Sequence, residues 1–143
     1  MIEYLGRIAL SILLSALIGI EREKEDKPAG LRTIMLICLG ATFTVIFSLE
    51  YAKVTNLSYD AIRAIAYYLC AIGFVGGGII TRAKGKLEGI TTSALLLPVT
   101  VIGLLCGIGS YILATMGTVI IFGILKIKYL EVKIKMRRSL WVK

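Results

Sequence analysis

The sequence predicts an all-α polytopic membrane bundle of about five transmembrane helices, with the N-terminus outside and the C-terminus inside. Three observations point there. Long uncharged runs alternate with short charged loops, and Lys and Arg gather in every second loop. The chain is also 57% hydrophobic and only 18% charged, with a mean hydropathy of +0.86, whereas soluble domains are about 25% charged. Lipid is therefore the solvent for most of the chain. Residues 1–125 are expected to form the membrane domain and residues 126–143 a basic cytoplasmic tail.

The first span covers about Tyr4 to Ile20. It has no small-x-small cleavage pattern at its end and reads as a retained span, not a signal peptide. A charged loop, Glu21 to Gly30, follows, and its Pro28 and Gly30 turn the chain. The second span covers about Leu31 to Leu49 and the third about Ile62 to Thr81. After the basic loop Arg82 to Glu88, no charge appears from Gly89 to Leu125. That stretch is too long for one span and suits two short ones, broken at Gly107-Ile108-Gly109-Ser110.

Charge sets the orientation. Most of the 17 Lys and Arg residues lie in the first loop, in the loop after span three and in the tail; the other side holds only Arg7, Lys53 and Arg63. Positive loops stay cytoplasmic. Aromatics agree: Tyr4, Tyr51, Tyr59 and Tyr111 fall at outer helix ends, and Tyr129 and Trp141 on the inner side. The net charge of +8 flanks apolar runs instead of lining a polar face, so lipid headgroups are the expected partner and nucleic acid is not.

Small residues recur at four-residue spacing: Ser11, Ser15 and Gly19; Gly40, Thr44 and Ser48; Gly73 and Gly77; Gly103 and Gly107. Lipid offers no hydrophobic drive for helix association, so such stripes mark close backbone approach. They serve packing within one bundle or a homodimer interface. Gly76-Gly77-Gly78 and Pro98 also predict irregularity where spans three and four meet. Cys38, Cys70 and Cys106 each sit in an apolar run and read as small buried groups.

Little in the sequence carries chemistry. There is no His, and every acid lies in a loop or at a span end, so a proton relay is not expected. Glu21, Glu25, Glu50 and Asp60 are the only carboxylates placed to approach magnesium, and they lie on opposite sides; whether a metal binds is left open. Glu21 and Arg32 are expected to pair at the inner boundary, locking the first hairpin or forming part of a recognition site. Asp60 is expected to cap span three, with Arg63 in its first turn. No nucleophile–base pair or phosphate loop is present, so neither catalysis nor a cofactor is expected. The tail from Lys126 to Met136 alternates basic and apolar residues, as a short strand or a segment on anionic headgroups would.

These residues combine into a pattern. Gly19-Ile20-Glu21-Arg22-Glu23, Lys27-Pro28-Ala29-Gly30-Leu31-Arg32-Thr33 and Leu39-Gly40-Ala41 are followed by Asp60 and Arg63. Ile72-Gly73-Phe74-Val75-Gly76-Gly77-Gly78-Ile79-Ile80 and Gly89-Ile90-Thr91-Thr92-Ser93-Ala94 complete it. From Leu14 to Gly107 the chain resembles the membrane domain of the MgtC/SapB family. It departs from that pattern at Tyr67, Leu97 and Pro98. Longer members continue into a cytoplasmic domain, and this chain is expected to be a short form without it.

The resemblance implies a link to magnesium limitation and, in pathogens, to survival inside host cells. It implies regulation of other membrane machinery, the ATP synthase included, more than transport. The expectation is an inner-membrane protein that modulates other membrane proteins; an oligomeric transporter or channel for magnesium or another small solute is the alternative. The functional or conformational candidates are Glu21, Arg22, Arg32, Thr33, Asp60, Arg63, Gly73, Gly76, Gly77, Gly78, Thr91 and Thr92.

Overall fold

The structure, a computed structural model, describes residues 2–55, 61–83 and 86–139. These residues form five helices: α1 (Ile2–Lys24), α2 (Leu31–Thr55), α3 (Ala61–Ile79), α4 (Ile90–Ile108) and α5 (Tyr111–Ser139). Two three-residue strands, β1 (Thr81–Ala83) and β2 (Lys86–Glu88), pair antiparallel between α3 and α4, with Arg82 opposite Leu87. The architecture is all-α, with that hairpin as an appendage. The loop expected from Arg82 to Glu88 is thus partly paired backbone.

Four helices are long and apolar enough to cross a membrane: α1, α2, α3 over Ile62–Ile79, and α4. The apolar part of α5 is shorter, Tyr111–Ile127. The helix then runs on to Ser139 through the basic stretch, where the strand alternative had stood.

The helix ends are built by backbone geometry. Gly109 adopts a left-handed φ of 92°, its N–H donates to the Cys106 carbonyl at 3.0 Å, and Ser110 N–H donates to Leu105 at 2.9 Å. That is the Schellman stop, at the break expected between spans four and five. The same pattern closes α1, with Asp26 at φ 49° and Lys27 N–H donating to the Arg22 carbonyl at 3.1 Å. α1 therefore extends beyond its apolar run and carries Glu21 and Arg22 on helical backbone.

α4 is the centre of the bundle and packs against α1, α2, α3 and α5. Over half of its span is buried, 56%, against 11% for α3. Leu96, Val99 and Cys106 are fully enclosed, beside Ile18 of α1 and Ile34 and Cys38 of α2. The small-residue stripes explain the closeness. A Cβ on Gly103 would collide with the Cys38 carbonyl, and one on Gly107 would lie 2.7 Å from the Val45 Cβ. One on Gly19 would lie 2.8 Å from the Leu31 Cα. Gly40 makes room for the Tyr68 hydroxyl, which donates to the Ile37 carbonyl at 2.9 Å.

Span three behaves differently. Gly73, Gly77 and Gly78 have nothing within 4 Å of where a Cβ would sit, and Phe74 and Tyr67 are 86% and 69% exposed. Cys70 faces outward too, unlike buried Cys38 and Cys106, which corrects the expectation that all three are enclosed. Neither helix is broken at the glycine run or at Pro98: α3 runs through Gly78 to Ile79, and α4 continues through Pro98 to Ile108.

Candidate functional site

One end of the bundle gathers the charged and polar candidates. Here α1 ends, α2 begins, the hairpin folds over and α4 starts. Glu21 and Arg22 sit in the last turns of α1, yet both side chains are nearly enclosed, at 8% and 3% exposure. Arg22 Nε donates to Glu21 Oε2 at 2.5 Å. The carboxylate at position 21 therefore pairs with its neighbour Arg22, not with Arg32 as expected. Arg32 lies in the first turn of α2 and is exposed, with Thr33 half-buried beside it. Burial makes the pairing of these two neighbours favourable, because an enclosed charge needs a partner.

The start of α2 is closed by Glu23, whose Oε2 accepts from the Leu31 N–H at 2.8 Å. A carboxylate there satisfies an amide that has no helical acceptor. A Cβ on Gly30 would meet the Glu23 carboxylate, so a larger residue there would push the capping side chain aside. The expected cap, Asp60 on span three, lies outside the described residues. Arg63 is exposed near the start of α3, at the opposite end from Glu21.

α4 starts in another way. Its N-cap is Gly89, left-handed at φ 84°, with no side-chain cap. Only glycine fits, since a Cβ would collide with the Ile79 carbonyl. A second contact joins the two segments: a Cβ on Gly76 would lie 2.7 Å from Ser93 Oγ. Of the glycine run, Gly76 alone is packed against α4, while Gly73, Gly77 and Gly78 open outward.

Between these elements lies a cavity of about 800 Å³. Arg22 lines it from the last turn of α1, Asp26 and Lys27 from the first loop, Thr91 and Thr92 from the first turn of α4, and Ile124 and Ile127 from α5. The structure thus brings Arg22, Thr91 and Thr92 together, and leaves Arg63 and the outward glycines apart from them. Among the described residues no group of three or more His, Cys, Asp or Glu side chains is placed to hold a metal ion.

The other end of the bundle holds a polar cluster that the sequence reading did not single out. Arg7 on α1 pairs with Glu3 and donates from a terminal guanidinium nitrogen to the Gly107 carbonyl of α4 at 2.6 Å. Tyr4 donates to Glu50 of α2, and Lys53 Nζ donates to both Tyr4 Oη and Glu50 Oε1 at 2.9 Å. Arg7 was visible in the sequence as a basic residue near the start of span one, but its carbonyl partner lies a hundred positions away.

Comparison with known proteins agrees with the resemblance. A model of the MgtC family matches residues 8–132. Protein MgtC of Salmonella typhimurium is 36% identical over 121 residues, covering 85% of this chain and 50% of that protein. Protein SapB of Bacillus subtilis is 32% identical over 114 residues, covering 76% and 49% respectively. YhiD of Escherichia coli, named as a candidate magnesium transporter, is 33% identical over 129 residues, covering 87% and 60%. The chain therefore spans half to three-fifths of the length of these relatives. No solved structure matches the chain significantly.

Proposed function

The chain belongs to the MgtC family, and on that premise we propose that it is a multi-pass protein of the inner (plasma) membrane that modulates other membrane proteins during magnesium homeostasis. In this reading five helices cross the bilayer. The apolar Tyr111–Ile127 segment of α5 makes the fifth crossing, close to the ~17-residue lower limit for a span. The first loop, the hairpin and the end of α5, where the basic residues gather, face the cytoplasm, and the N-terminus faces outward.

The observation that carries the proposal is the open face of α3. Gly73 and Gly77 are one helical turn apart with free space above both, a surface on which a helix of another membrane protein can approach closely. The packing of α4 favours contact over conduction, because Leu96, Val99, Ile102 and Cys106 fill the middle of the bundle. The same open face supports the second reading, an oligomer of this chain that transports magnesium or another small solute. A homodimer on α3 is its first step.

The test reconstitutes the purified chain alone into liposomes and measures magnesium flux, alongside photocrosslinking from Phe74 in native membranes. Contact with other membrane proteins predicts no flux, and adducts with other proteins that Gly77→Leu removes. Flux by the chain alone that Gly77→Leu abolishes would replace this reading with the transporter.

A further inference from the structure

We propose that the cavity between the first loop, the start of α4 and α5 binds a phosphate group. The inference stands on that cavity's own geometry and does not depend on the modulator reading.

Three sets of hydrogen-bond donors converge there without acceptors. The first is the start of α4. Ser93 is the first residue whose N–H finds a helical acceptor, the Gly89 carbonyl at 2.8 Å. Gly89 offers no side chain to the earlier amides, and no described residue accepts from those of Ile90, Thr91 or Thr92. The first turn of α2, by contrast, is capped by Glu23. A helix start with free amides concentrates positive potential where an anion can meet it.

The second is Arg22. Its side chain is 3% exposed and its Nε is engaged by Glu21, but its two terminal nitrogens have no acceptor among the described residues. The third is Thr92, which is 1% exposed. The enclosed threonines at 100 and 118 both donate to the carbonyl four residues earlier, and the one at 42 has two carbonyls within reach. Thr92 makes no such bond, and its hydroxyl has no partner among the described residues. Both side chains line the cavity, and beyond the Arg22–Glu21 pair neither makes a hydrogen bond within the described residues.

Lys27 adds a cation to the same wall. A carboxylate has two oxygens to offer, fewer than this set of donors can use, whereas a tetrahedral phosphate presents more oxygens and pairs well with guanidinium. Asp26 and Glu88 also line the cavity and are exposed. They disfavour a highly charged anion and suit a phosphate carrying one net negative charge. The isoleucines at 124 and 127 give the cavity an apolar side. Such a phosphate comes either from a phospholipid headgroup or from a soluble phosphate.

The experiment uses the whole chain purified in neutral detergent. One arm titrates inorganic phosphate against chloride at equal ionic strength. The other reconstitutes the chain into nanodiscs containing phosphatidylglycerol or a phosphate-free diacyl glycolipid and measures lipid retention by native mass spectrometry. Binding in the first arm identifies a soluble source, and selective retention in the second identifies the headgroup. In either arm Thr92→Val is expected to weaken binding by about 3–10-fold and Arg22→Gln by about tenfold or more, with Thr115→Val, exposed on α5, unchanged. Absence of binding in both arms overturns the proposal, as does unchanged affinity in Thr92→Val. Thr92→Val decides the matter alone if Arg22→Gln does not fold.

Discussion

The Thr42 hydroxyl on α2 donates to the Gly103 carbonyl on α4 at 2.9 Å, where the two helices pack backbone to backbone. The same hydroxyl also lies 3.0 Å from the Cys38 carbonyl of its own helix. The crossing works because Gly103 has no side chain, so two backbones touch and one hydroxyl ties them.

A methyl at this crossing is expected to be costly. Gly103→Ala places a Cβ against the Cys38 carbonyl and 2.9 Å from the Ala41 Cβ, and overpacking of this kind costs about 1–3 kcal/mol. Gly73→Ala meets nothing within 4 Å and gains up to about 1 kcal/mol of helix propensity. Thermal unfolding in detergent should lower the melting temperature of the first variant and leave or raise that of the second. Equal effects would contradict the packing described.

Arg7 is expected to hold α1 to the end of α4. Arg7→Met keeps the aliphatic stem but removes the donor to the Gly107 carbonyl, leaving that carbonyl to water or to nothing. A loss of about 1–3 kcal/mol follows. Hydrogen exchange at the last turn of α4 should quicken in the variant. Protection equal to wild type would show that the Schellman stop at Gly109 suffices alone.

The Glu21–Arg22 pair makes a sharper prediction, because both partners are enclosed. Removing one member of a buried pair costs about 3–5 kcal/mol, whereas replacing both with apolar groups is often near neutral. Glu21→Gln should therefore destabilise the chain strongly, and Glu21→Leu with Arg22→Met should recover most of the loss. A double-mutant cycle by chemical unfolding measures this. Purely additive losses would mean that the two side chains act separately.

Orientation is tested by labelling. A cysteine at Lys53 should react with a membrane-impermeant maleimide added to intact cells, and a cysteine at Lys27 only after permeabilisation, both in a background without Cys38, Cys70 and Cys106. The opposite pattern would invert the topology assigned from the basic loops.

The bundle was legible where one residue type has one physical use. Gly109 announced the break after α4 because glycine takes left-handed φ without strain. Gly103 and Gly107 announced close packing. The end of α1 was not legible, because hydropathy reports depth in lipid, whereas the backbone ladder continues past Ile20 until Asp26 turns it. The partner of Glu21 was also hidden: neighbours on a helix ordinarily do not face each other, so spacing favoured Arg32. Gly73 and Gly103 carry the same sequence signal and meet opposite fates, since a stripe of small residues does not say which helix lies across it. The cavity joins residues from the first loop, α4 and α5, and no local pattern contains all three.

The position of α4 at the centre of the bundle has a consequence for biosynthesis. Chains emerge from the ribosome N-terminus first, so α1, α2 and α3 enter the bilayer before the helix they surround exists. Until α4 arrives, the Thr42 hydroxyl keeps only the Cys38 carbonyl of its own helix, and Arg7 only Glu3. Assembly is therefore completed late: α1 and α2 already approach closely at Gly19 and Leu31, and the fourth helix closes the core against both. A truncation before Ile90 would remove Leu96, Val99, Ile102 and Cys106, the middle of that core.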